Sequence, residues 1–265
     1  MVNFSGRMME KILDDNIHKS HRGQNLGHVR ISEMSQIAEN LKIIHQRIAN
    51  AAERHGRAAK EVKLVAVSKT YPPEIIREAI EAGQRFFGEN RVQDALPKID
   101  TLPPELEWHL IGHLQTNKVR KVIGRFTLFH GVDNTALALQ MNRIAGEFGV
   151  TANILLEVNV SGEESKFGFT PASLTAALED LLPLPHLRIE GLMTMAPFSE
   201  NPESARPIFE GLRKLRDALS AETGHPLKEL SMGMSGDFEQ GIAEGATIVR
   251  IGSAIFGARA TATGH

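Results

Sequence analysis

The sequence contains no cysteine, one tryptophan and one tyrosine. Without thiols there is no disulfide, no thiolate nucleophile and no cysteine-ligated zinc, a usage that suits a reducing compartment. Neither sign of charge is in excess: 30 Lys and Arg stand against 32 Asp and Glu, a net charge of -2. That balance leaves no electrostatic footprint for nucleic acid or an acidic membrane surface, so a small, roughly neutral partner fits better. No apolar run approaches the length of a membrane span. The first thirty residues are polar and lack the apolar middle of a signal peptide, so a cytoplasmic protein is expected, with residues 1–31 as a flexible extension.

What is present is ordinary globular material, 265 residues of which 42% are hydrophobic, enough for two small domains or one large barrel. From Ser32 the apolar residues Ile37, Leu41, Ile44, Ile48 and Ala52 recur at helical steps, predicting an amphipathic helix that ends near Gly56. Eight strand-like segments follow: 62–68, 85–89, 107–112, 126–132, 152–160, 187–195, 228–233 and 246–252. Helices with recognisable starts lie between them. Pro72 and Pro73 open one that stops at Gly83, Thr116 is expected to cap another, Thr170 and Pro171 start a third, and Pro202 starts a long one in which Pro207 is expected to make a kink. Strand count and length favour a single (β/α)8 barrel, an α/β TIM barrel over residues 32–260, above its rival, a doubly wound open sheet.

In such a barrel the active site collects at the carboxyl ends of the strands. Lys69 follows the first strand directly, in LVAVSKTYPP. A lysine there is either a solvated charge marking the exit to water or an amine whose partial burial frees it to attack an aldehyde as a Schiff base. The turns after strands seven and eight, GMSGD and RIGSAIFG, are rich in Gly and Ser and each runs into a helix. Their backbone N–H groups can hold a phosphate, the usual position for one in a barrel. A phosphate at one side and an amine at the other suit a sugar phosphate, as in a class I aldolase, or pyridoxal 5′-phosphate (PLP). Arg250 lies two residues before the second turn and can meet a pyridine nitrogen.

The blocks AVSKTYP, FGENRVQ, WHLIGHLQTNK, VNVSGEESKFG, GLMTMAP and LSMGMSGDFEQGIAEGATIVRIGSAIFG resemble the pyridoxal phosphate homeostasis (YggS/PROSC) family, in order, across residues 62–259. The resemblance implies one barrel similar to the N-terminal domain of alanine racemase, with PLP as a Schiff base on Lys69. It places the phosphate around Ser235, Gly236, Gly252 and Ser253, Arg250 at the pyridine nitrogen, and Asn90 beside the cofactor near its ring oxygen. It implies a protein that handles cellular PLP and vitamin B6 as carrier or regulator without established turnover, with PLP and apo PLP-dependent enzymes as partners. The long N-terminal segment departs from the family pattern. No apolar seam stands out, so a monomer is expected.

A cationic Arg at the ring nitrogen makes PLP a weaker electron sink, which mutes decarboxylation and transamination but leaves racemisation open. Two-sided racemisation also needs a second base on the opposite face of the ring. The sole tyrosine, Tyr71, stands two residues from Lys69 and is not placed to be that base, so an amino-acid racemase is the alternative and not the expectation. His109 and His113 do not align as metal ligands on a strand end, and no acidic third ligand is expected nearby. His109 is expected in the pocket floor or a hydrogen-bond network. Lys166 is read as a loop charge before a second PLP-receiving amine. Met193 and Met195 are expected to point together into the barrel, and Asp237 and Glu239 to favour the helix N-terminus on which they sit.

Overall fold

The computed structural model describes residues 35–163 and 166–257; the expected extension 1–31 lies outside the described residues. Eight parallel strands close in sequence order into a barrel. They are β1 (Lys63–Val67), β2 (Phe86–Glu89), β3 (Glu107–Leu110), β4 (Leu128–Val132), β5 (Ala152–Glu157), β6 (Leu187–Met193), β7 (Glu229–Ser231) and β8 (Ile248–Ile251). Each falls within a segment marked by the sequence pattern. Closure is made by β1 on β8, with Val65 opposite Arg250.

Side-chain alternation sorts the strands into two packing regions. Leu64 and Ala66 on β1, Trp108 and Leu110 on β3, and Val249 and Ile251 on β8 face the helices and join the main core. Val65, Leu128, Leu155, Met193 and Ile248 turn inward and form a separate apolar plug, with Phe86 packed on it. That plug fills the barrel's middle, so any polar site must lie above or below it.

The outer helices include α1 (Gln36–Arg54), α2 (Pro73–Glu81), α3 (Val92–Thr101), α4 (Val119–Val122), α5 (Thr135–Phe148), α6 (Pro171–Leu181), α7 (Arg206–Thr223), α8 (Phe238–Ala243) and α9 (Ser253–Phe256). Ser35 caps α1 by accepting from the Ala38 N–H, and Ile37, Leu41, Ile44 and Ile48 form its buried face. Because α9 is a single turn, α1 lies alongside α8 and α9, tied there by Asn40 donating to the Ile255 carbonyl (2.8 Å) and by Arg47 and Arg54 on Glu239.

Three local expectations are corrected. Pro207 makes no kink: a 3-10 turn over Pro202–Ala205 comes first, so Pro207 sits in the first turn of α7, where its missing N–H has no partner to lose. Thr116 is not a cap but the first residue of a 3-10 turn, Thr116–Lys118, that leads into α4. Met193 belongs to the inner plug, whereas Met195 lies past the end of β6 and is 40% exposed.

Candidate functional site

At the carboxyl end of the barrel, the inward row of β1 reads Lys63, Val65 and Val67, and the half-buried Lys69 follows two residues past the strand's end. The chain reverses there in a turn closed by the Tyr71 N–H on the Ser68 carbonyl (3.1 Å). Within it Thr70 has φ +72°, in the left-handed region that a β-branched residue disfavours. On the neighbouring β8 the inward row is Ile248 and Arg250, and Gly252 follows just past the strand. A Cβ built on Gly252 would stand 3.1 Å from the Val67 carbonyl oxygen, so the chain just past β8 lies close against the end of β1. Ser253 opens α9 immediately afterwards, and its side of the turn is exposed.

The loop after β7 completes this side. Gly233 turns the chain at φ +95°, and Asp237 Oδ1 accepts from the Met234 N–H (2.6 Å), leaving Ser235 and Gly236 at the tip. Among the described residues no atom lies within 4 Å of a Cβ built on Gly236, so none of them fills the space there. Asp237 thus spends its carboxylate on the loop and not on the N–H groups of α8, and Glu239 turns outward to Arg47 and Arg54.

Beneath these loops lies Arg250, only 4% exposed. It donates to Ser231 Oγ and to the Thr194 carbonyl (3.0 Å). Ser231 Oγ meets His130 Nδ1 at 2.8 Å, and His130 Nε2 meets His109 Nδ1 at 3.0 Å. Ser231 Oγ, accepting from Arg250, thus joins the guanidinium to both imidazoles in one buried hydrogen-bonded chain. Burial pushes His109 down to about 3, with the Lys63 charge second, and holds His130 well below the usual histidine range. Both rings are neutral. Burial also pulls Arg250 down, to about 10, which leaves it cationic at neutral pH. His109 therefore occupies the floor network expected of it, while His130 was not singled out by any sequence pattern.

On the other side of Lys69, Asn90 follows directly after the end of β2 and is half-buried. Glu157 ends β5 and is 5% exposed; burial raises its carboxyl to about 7, with the Asp133 charge adding and Arg250 and His113 opposing. His113 Nδ1 lies 2.7 Å from Asp133 Oδ2, and its ring stacks on Phe167 with centroids 4.3 Å apart. An acid is therefore close to His113, contrary to the sequence reading, because β4 lies beside β3 in space. Among the described residues no group of three or more His, Asp or Glu could hold a metal ion. Lys166 pairs with Glu163 at 3.3 Å, as a loop charge does. Behind the Lys69 turn, Lys98 of α3 and Glu89 of β2 form a buried ion pair at 2.7 Å that sequence reasoning missed.

The sequence-marked residues thus gather at one mouth: Lys69 and Asn90 on adjacent strands, the tips holding Ser235, Gly236, Gly252 and Ser253 beside them, and Arg250 below. Chemically this offers an amine, two Gly/Ser turns and a buried guanidinium.

The alanine racemase N-terminal domain family matches residues 34–260. The pyridoxal phosphate homeostasis protein of Aquifex aeolicus is 48% identical over 222 residues, 83% of this chain and 97% of the relative. That of Escherichia coli K12 is 43% identical over 233 residues, 85% of this chain and 98% of the relative. The structure of PipY from Synechococcus elongatus with PLP bound superposes with a TM-score of 0.74 at 40% identity, covering 83% of this chain and all of PipY. Alanine racemase from Corynebacterium glutamicum shares the fold, with a TM-score of 0.67 at 16% identity over 88% of this chain and 63% of the enzyme. With near-full coverage at these identities, the chain belongs to the pyridoxal phosphate homeostasis protein family, built on the alanine racemase N-terminal domain.

Proposed function

We propose that this protein binds PLP covalently through Lys69 and acts in PLP homeostasis as a carrier or regulator, handing the cofactor to apo PLP-dependent enzymes or reporting its level. The observation that carries the reading is the placement of Lys69 two residues past the carboxyl end of β1, where Gly252 after β8 comes close to Val67. The residues fit the group. The open backbone at Gly236, with Ser235, Gly252 and Ser253, suits a phosphate. Arg250 and Asn90 would hold the ring, Arg250 as the partner of its nitrogen. When bound, PLP supplies an aldehyde for the amine and an electron-withdrawing ring.

Two features favour holding the cofactor over turning it round. Arg250 stays cationic at neutral pH, which disfavours a protonated ring nitrogen and weakens the ring as an electron sink. The hydroxyl of Tyr71, the only tyrosine in the sequence, donates to the Gly257 carbonyl (2.9 Å) and so is committed on the Lys69 side. A racemase on this barrel would need its second base from another residue. The test is spectroscopic. Protein mixed with PLP is expected to show the absorption of cofactor attached to an amine, and Lys69→Ala is expected to abolish it. An unchanged spectrum in the variant sinks the assignment.

A further inference from the structure

Lys98 and Glu89 are not used by the proposed function, yet both are bonded to Ser68, the residue before Lys69. Glu89 is fully buried and faces the helix layer from β2, and Lys98 is 7% exposed on α3. The Lys98 ammonium donates to Glu89 Oε1 (2.7 Å) and to the Ser68 carbonyl (2.9 Å). Ser68 Oγ donates to the same carboxylate oxygen (2.6 Å), while Glu89 Oε2 is buried with no hydrogen-bond partner among the described residues. Burial raises the Glu89 carboxyl, and the bonds from Lys98 and Ser68 oppose that rise.

Stability does not account for such a pair. A buried salt bridge is often no better than apolar residues of the same size, and one with an orphaned oxygen is worse. What the pair does secure is Ser68, whose carbonyl belongs to the peptide leading into Lys69. That carbonyl accepts from both Lys98 and the Tyr71 N–H, so both of its lone pairs are used. The turn it closes contains Thr70 at φ +72°, a conformation its own residue disfavours and its surroundings must therefore impose. The other end of the turn is held as well: Tyr71 bonds the Gly257 carbonyl and packs its ring on Phe256 with centroids 4.9 Å apart.

We propose that the Glu89–Lys98 pair is a positioning device for Lys69. It grips Ser68 from behind while α9 grips Tyr71, and the strained turn between them holds the Lys69 backbone over the mouth before the cofactor arrives. Binding then need not order the turn, which is how pre-organisation tightens a complex. This inference rests on the PLP reading above.

The experiment uses the full chain carrying Glu89→Leu and Lys98→Met together, which removes the pair without leaving a lone buried charge. The expected result is a melting temperature near that of the parent protein, faster amide hydrogen exchange at Tyr71 in the PLP-free protein, and a PLP Kd raised about tenfold or more. A folded double variant with parental Kd and parental exchange overturns the proposal. Should the double variant not fold, Ser68→Ala decides, since it keeps the ion pair and removes only the hydroxyl link. Faster Tyr71 exchange with a Kd raised about threefold supports the device; no change in either refutes it. If Lys69→Ala leaves PLP attachment intact, the cofactor reading has failed, and the exchange arm, run without PLP, still judges the grip on the turn.

Discussion

Glu157 is a buried acid at the mouth that no motif announces, and its titration gives a test independent of any ligand. Its carboxyl is raised from 4.5 to about 7, chiefly by burial. Between those values the folded chain binds more protons than the unfolded one, so stability falls as pH rises through the window and the full penalty stands above it. His109, lowered from 6.5 to about 3, works in the opposite sense: its contribution is present above pH 6.5 and is lost as pH falls. Glu157→Gln isolates the first effect. Its unfolding free energy relative to the parent is expected to grow from near zero at pH 4.5 to about 3 kcal/mol by pH 8, in paired denaturant titrations. A difference that does not vary with pH contradicts the assignment. Residues with a local signal were legible in the sequence: Lys69 at a strand end, and Gly and Ser in turns before short helices. Glu157, Asp133, His130 and the Glu89–Lys98 pair were not, because their partners lie on other strands and helices and only barrel closure brings them together.

At the scale of elements, strands were easier to place than the ends of helices. Each strand combined an apolar run with flanking turn residues, whereas Pro207 and Thr116 were misread because a 3-10 turn precedes the α-helix in both places. Met195 was misread for a related reason: alternation was extended past the end of β6, where the pleat no longer governs which way a side chain faces. One glycine exposes a constraint between elements. A Cβ built on Gly191 of β6 would stand 1.9 Å from the Glu229 carbonyl oxygen of β7, a clash with backbone that no rotamer relieves. Gly191→Ala is therefore expected to cost about 4 kcal/mol or more, or to prevent folding, in equilibrium denaturation. A loss below about 1 kcal/mol would mean that β6 and β7 are not this close.

Taken whole, the molecule places a polar site where its architecture leaves room for one. The plug of Val65, Leu128, Leu155, Met193 and Ile248 fills the barrel centre, the neutral His109–His130 pair and Arg250 form a hydrogen-bonded floor, and the loops after β1, β7 and β8 close around the mouth. Eight strand signals alternating with helices made the barrel legible, although only the β1–β8 register settles closure against an open sheet. That register is also what brings Lys69 beside the Gly252 and Ser253 turn from the other end of the chain. The central claim is that this one lysine takes the cofactor, and the most direct measurement is borohydride reduction of the PLP-loaded protein followed by peptide mass mapping. The expected result is a single modified peptide with the added mass on Lys69. Modification mapped to Lys166 or Lys98 instead, or no modified peptide at all, would contradict the account.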